Sequence, residues 1–255
     1  MNFRFVRLIS DSREDLLKGR AISLDELHSL RERRGEMIAA VDAASSALLG
    51  WIGVYPDKDE GGHLFHLAEI DVLHGHREEG IDAALMQEAG KFMQERRVSR
   101  LKFGTSPLLT GNAALYVTRF GTRYKWREGI RTPEGRPWPH VSCECDFDDP
   151  VARPLDLRME EVVPRSVIDW EGVRPLPRKK VVYSGPLSVL LPDFTSDSLT
   201  EADTRDPSFL PTLYQVFHAL FLHGYDFAWF DRLSPSAAPS DGPRCYYIMK
   251  RVLAL

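Results

Sequence analysis

Cysteine is scarce: Cys143, Cys145 and Cys245 are the chain's three, an odd and small number that argues against a disulfide framework and for a reducing compartment. The Cys-x-Cys spacing of the first two fits strand alternation. It lacks the Cys-x-x-Cys pattern with further ligands that a zinc site needs, so no metal is expected. Long apolar runs are also missing, and none approaches a membrane span. The opening Met-Asn-Phe-Arg-Phe-Val-Arg-Leu-Ile has no apolar core ahead of a small-residue cleavage site, so a cytoplasmic protein is expected. Charge of one sign is absent too: the net charge is −4 at pH 7, which gives no reason to expect nucleic acid or an anionic membrane as partner. Small molecules and proteins remain.

The 255 residues suffice for one large domain or two small ones, and 43% hydrophobic with 27% charged residues is the balance of a soluble globular protein. Phe3, Phe5 and Leu8 suggest an opening strand, followed by helix-start chemistry at Asp11 to Leu17. A second helix begins at Ser23, where Ser23 and Glu26 have capping-box spacing and Leu24, Leu27 and Leu30 form a stripe, and Gly35 ends it. Met37 to Val41 and Leu48 to Val54 read as an antiparallel hairpin across a small-residue turn. Leu64 to Leu73 reads as a central strand with apolar residues on both faces. A polar loop then leads to an amphipathic helix from Gly80 to Arg96, with Ile81, Leu85, Ala89 and Phe92 on one face. The return strand is Arg100 to Thr105, parallel to the first.

Beyond it come a short helix from Asn112 ended by Gly121 and strands at Tyr124 to Ile130 and His140 to Phe147. A linker starts at Asp148, which places a boundary between lobes 1–148 and 149–255. The second, smaller α/β lobe reads as a strand at Lys180 to Leu191, an acidic polar loop, an apolar helix from Pro207 to His223, and strands at Tyr225 to Leu233 and Cys245 to Leu253. Strand, helix, Gly, strand, strand repeats the order seen in the middle of the first lobe. The helix from Pro207 is apolar almost all round, so it is either the core of its lobe or packs partly against another subunit, which would make a homodimer.

Val72, Arg77, Gly80 and Leu85 fall at the spacings Val-x-x-x-x-Arg-x-x-Gly-x-Gly-x-x-Leu. Over about residues 1 to 130 the chain resembles the GNAT acetyltransferases, whose loop of this pattern wraps the pyrophosphate of acetyl-CoA. The resemblance implies a mixed sheet flanked by helices and transfer of an acetyl group from acetyl-CoA to an amine, on a small molecule or a peptide. It implies that Asp71, Val72 and Leu73 grip the pantetheine through main-chain groups. Arg77, Glu78, Glu79, Gly80, Ile81, Asp82 and Ala83 would hold the pyrophosphate, and Asn112 would touch the cofactor. Tyr116 would protonate the leaving thiolate. The family's helix here ends in Tyr-x-x-x-Gly-Phe; in this chain Tyr116 stands five residues before Gly121, and Thr122 replaces Phe.

Glu69 and Asp71 are the candidates for the base that takes the amine proton, because a carboxylate on a covered strand is partly desolvated and its pKa rises. They lie two apart and share a face, with His66 expected on the other. A rival class stays open. Asp82 stands where the family has Gly or Ala, and Glu78 and Glu79 where it has Gly and a basic or neutral residue. A carboxylate in the first helical turn accepts the N–H groups that a phosphate would use. In that reading the chain is a GNAT-fold binding or scaffold module without CoA.

Overall fold

The computed structural model describes residues 2–13, 16, 24–58, 63–73, 75–76, 79–151, 168–169, 174–175, 187–192, 194–232 and 245–251. Of the helix start expected at Asp11 to Leu17, Asp11, Ser12, Arg13 and Leu16 are described, with Asp11 and Ser12 in a turn, while Glu14, Asp15 and Leu17 lie outside, as do Ser23 and the first part of the strand expected from Lys180.

The first elements are β1 (Phe3–Arg7), α1 (Leu24–Glu32), β2 (Glu36–Asp42), β3 (Leu48–Pro56), β4 (Phe65–Val72), α2 (Ile81–Gln94) and β5 (Arg100–Thr105). α3 (Thr110–Ala113) runs into a π-helical turn (Ala114–Arg119), and β6 (Arg123–Arg127) and β7 (His140–Asp146) follow. The fold is mixed α/β: one seven-stranded sheet in the order β1-β2-β3-β4-β5-β7-β6, antiparallel from β1 to β4 and parallel between β4 and β5. By compactness the chain divides into Met1–Phe103 with Asp146–Asp149, and Gly104–Cys145 with Pro150–Leu255.

In the first unit, Leu27 and Leu30 of α1 pack on Met37, Ala39, Val41 and Trp51, while Leu24 of the expected stripe is 56% exposed. α2 buries Ile81, Leu85, Ala89 and Phe92 as the periodicity requires. A Cβ on Gly35 would collide with the carbonyl oxygen of Val54, so the turn after α1 needs glycine for close approach as well as for stopping the helix. Glu36 ties β2 to the end of β1. Its carboxylate is fully buried and accepts the N–H groups of Ile9 at 2.8 Å, Ser10 at 3.1 Å and Met37 at 3.1 Å, together with the Ser10 hydroxyl. Glu36→Ala removes the acceptor from donors that are buried at Met37 and part-buried at Ile9 and Ser10. It is expected to cost about 3 kcal/mol, read as a fall in the urea midpoint at constant m-value. A loss below about 1 kcal/mol would mean that water or relaxation satisfies them.

The second unit adds the two-residue pair β8 (Ile168–Asp169) and β9 (Arg174–Pro175), then β10 (Leu187–Leu191), α4 (Ser196–Arg205), α5 (Phe209–Leu222), β11 (Tyr225–Arg232) and β12 (Cys245–Arg251). The expected acidic loop is in fact α4. Its polar sequence hides good helix chemistry: Thr195 and Ser198 form a capping box, and Glu201 pairs with Arg205 one turn on. Phe209, Leu210, Leu213, Val216, Phe217 and Leu220 of α5 are buried within the single chain, and the Trp126 ring lies 5.9 Å from that of Phe217.

The second sheet has the order β10-β12-β11, all antiparallel. That is the arrangement of β5-β7-β6: strand, helix, left-handed glycine, strand, then a last strand inserted between the other two. Gly121 (φ 59°) and Gly224 (φ 78°) occupy corresponding places after the helices. At Gly121 a Cβ would also strike the Val151 backbone at 2.5 Å.

Candidate functional site

β4 pairs with β5 at Phe65–Leu101 and His66–Lys102, and immediately afterwards β4 bulges. On its β3 side Gly53 faces Glu69 and Val54 faces Leu67, so Ala68 is the extra residue. The bulge corrects one expectation. With Tyr55 opposite His66, Gly53 opposite Glu69 and Trp51 opposite Asp71, His66 shares the face of the two carboxylates instead of the opposite one. There it stacks on Tyr55, with ring centroids 5.3 Å apart, and its Nε2 lies 2.7 Å from Asp57 Oδ2. His66 is thus a partnered histidine on the same side of the sheet as the two carboxylates.

Glu69 is half-buried and accepts the indole N–H of Trp51 at 2.9 Å. Burial is the largest influence on its carboxyl and raises the pKa above the ordinary value; the Trp51 hydrogen bond pulls the other way, and Glu26 and Asp71 add to the rise. Trp51, 4% exposed, was not a candidate from sequence. Only the register of the β2–β3–β4 hairpins places it beside Glu69.

Asp71 is exposed, and its Oδ1 accepts the N–H of its neighbour Val72 at 2.9 Å. Val72 is buried. Leu73, half-buried, has both main-chain groups engaged: its N–H donates to Leu49 at 2.8 Å and its carbonyl accepts from His76 at 3.0 Å. Because donors alternate along a strand, Ile70 and Val72 direct theirs to the β5 edge, and Asp71 covers the second.

Arg77, Glu78 and His74 lie outside the described residues. Around them, His76 Nδ1 is 3.2 Å from Glu79 Oε1. Gly80 is the N-cap of α2 at φ 72°, a left-handed conformation natural to glycine, and it provides no side-chain cap. Ile81 and Ala83 are buried and point into the unit, so only their main chain is available to a ligand. Asp82 is half-buried and its Oδ1 accepts the Ala83 N–H at 2.7 Å, as expected for an acidic residue in a first turn.

Asn112 and Tyr116 belong to the second unit. Asn112 Nδ2 donates to Thr105 Oγ1 at 3.1 Å, and Tyr116 is 3% exposed. The spacing that set Tyr116 apart has a physical account. The helix widens to a π turn over Ala114–Arg119, which accommodates one more residue than an α turn, and Gly121 and Thr122 close it by donating to Val117 and Tyr116, each at 3.0 Å. The extra residue between Tyr116 and Gly121 is taken up inside the turn.

Among the described residues no group of three or more His, Cys, Asp or Glu is placed to hold a metal, and no helix is long and apolar enough to cross a membrane.

The family model of the Acetyltransferase (GNAT) family matches residues 5–122. Residues 5–122 are a domain of the GNAT superfamily. Many solved structures resemble the chain. An acetyltransferase of the GNAT family from Staphylococcus aureus is 15% identical, covering 57% of this chain and 99% of its own, with a TM-score of 0.41. A Bacillus subtilis acetyltransferase in complex with CoA is 19% identical over 57% and 99%, at 0.41. The ribosomal-protein-S18-alanine N-acetyltransferase of Escherichia coli is 14% identical over 62% and 99%, at 0.44. No curated protein matches the sequence.

Proposed function

We propose that the protein is an acyl-CoA-dependent N-acetyltransferase that acetylates an amine on a small molecule or peptide. The observation that carries this reading is the end of the β4–β5 pairing at His66–Lys102, just before the Ala68 bulge and a half-buried Glu69 whose carboxyl burial makes more basic. Glu69 takes the proton from the amine, directly or through water, with Asp71 the second candidate. The nitrogen attacks the thioester carbonyl, the C–S bond breaks, and Tyr116 donates a proton to the departing thiolate. Val72 and Leu73 border the pantetheine. Arg77, Glu78, Glu79 and Gly80 to Ala83 surround the pyrophosphate, where the first-turn N–H groups and the helix dipole favour an anion, and Asn112 is a further cofactor contact. The direct test is release of CoA thiol from acetyl-CoA in the presence of amines ranging from small diamines to peptide N-termini. Amine-dependent release supports the assignment, and none across the panel contradicts it.

A second reading has its own observation. Asp71 and Asp82 each hold a main-chain donor, Val72 N–H and Ala83 N–H, that a cofactor would otherwise take. If those carboxylates win, the lobe is a binding or scaffold module. Asp82→Gly frees the Ala83 N–H and removes a negative charge from the anion end of α2. It is expected to raise CoA affinity by about threefold to tenfold in a calorimetric titration. Unchanged or weaker binding would show that Asp82 does not compete with the cofactor.

A further inference from the structure

The second unit contains a cavity of about 210 Å³ lined by Val117, Thr122, Arg123, Tyr124, Val151, Phe227, Ala228, Trp229 and Tyr247. It lies where the strand after Gly121 meets the equivalent strand after Gly224, so its wall is drawn from both halves of the repeated strand-helix-strand-strand arrangement. Most of that wall is apolar or aromatic. The Phe227 ring stands 4.9 Å from Tyr247 and 6.1 Å from Tyr124, edge-on to both.

Three of the wall residues carry a buried polar atom with no hydrogen-bond partner among the described residues: Thr122 Oγ1, Tyr124 OH and Trp229 Nε1. The residues themselves are only 3%, 4% and 6% exposed. A folded chain rarely leaves buried donors unpaired, and three around one cavity is a pattern that a ligand oxygen would resolve. The fourth polar wall group is different, since the Tyr247 hydroxyl is already spent on the Pro107 carbonyl at 2.8 Å. Burial holds the Tyr124 phenol protonated, hence a donor. Arg123, exposed, completes the lining with a positive charge.

Size and shape narrow the guest. An apolar protein cavity of about 150 Å³ holds a benzene-sized ring, so this one has room for a ring and a short polar arm.

We propose that the second unit has a ligand site of its own, a cavity between β6 and β11 that takes a single-ring aromatic carboxylate, with Thr122, Tyr124 and Trp229 donating to its oxygens and Arg123 at its charge. The ring packs against Phe227 and Tyr247. This site is separate from the acetyl-CoA chemistry, and no part of the proposed catalytic apparatus lines it.

Benzoate is the probe, followed by ligand-observed NMR titration of the full chain with and without acetyl-CoA. Saturable binding is expected in both conditions. Thr122→Val keeps the volume but removes one donor and should weaken benzoate roughly tenfold, while Thr122→Phe fills the cavity and should abolish binding. Because Val also removes an unpaired buried hydroxyl, that variant should melt about 2–4 °C higher without ligand, which confirms that it folds. The absence of saturation up to the solubility limit of benzoate, or benzoate binding that survives Thr122→Phe, would overturn the proposal. Either result leaves the acetyltransferase assignment untouched, since neither involves thiol release.

Discussion

Glu69→Gln lowers kcat for amine acetylation by about 10²–10⁴-fold while KM for acetyl-CoA stays within about threefold, the size of effect that removal of a positioned general base produces. The amide keeps the shape and still accepts the Trp51 indole N–H, so a loss reports lost basicity. The substitution should not weaken the fold. A carboxyl whose pKa is raised on folding favours the folded state below its unfolded pKa and loses that contribution as pH rises through the folded value. At neutral pH the ionised Glu69 therefore brings no folding benefit for Gln to forfeit.

The same shift fixes the pH profile. The carboxylate is the active form, so kcat falls as pH drops through the Glu69 pKa, which burial raises from its ordinary value. Glu69→Gln should flatten the limb. A limb that persists unchanged in the variant would move the assignment to Asp71, which is exposed and engaged with Val72 N–H.

Tyr116→Phe is the second large effect, with an expected loss of about 10²-fold or more in kcat and little change in KM. The reason lies in the π turn. Turns with i→i+5 bonding are rare and occur frequently at functional sites. Here the widened turn absorbs the residue that displaces Tyr116 from its usual spacing to Gly121, and Tyr116 is 3% exposed. Phe fits the same space. If kcat is unchanged, Tyr116 is a packed aromatic and the leaving thiolate takes its proton from water or another donor.

Most of the strands and α2 were legible because alternation and helical periodicity are strong in them: Ile81, Leu85, Ala89 and Phe92 are all buried as their spacing demands. What escaped has a common cause, single-residue irregularity. One extra residue at Ala68 turns His66 to the opposite face, and one extra residue after Tyr116 converts α to π; neither disturbs composition or pattern enough to read. α4 escaped for another reason, since a helix held by caps and an ion pair on a polar surface has no apolar stripe to display. At the candidate site the carboxylates were visible as residue types on a central strand. The hydrogen bond that tunes Glu69 was not, because Trp51 reaches it only through strand pairing.

The central claim is that the start of α2 holds a CoA diphosphate despite its acidic neighbours. Calorimetric titration of acetyl-CoA into the purified protein and into Arg77→Ala tests it most directly. The expected result is submillimolar binding that weakens about tenfold to a hundredfold when the guanidinium is removed, the worth of a charge-assisted phosphate contact. No heat at any accessible concentration, with binding still absent in Asp82→Gly, would contradict it and leave the first lobe as a GNAT fold that has given up its cofactor.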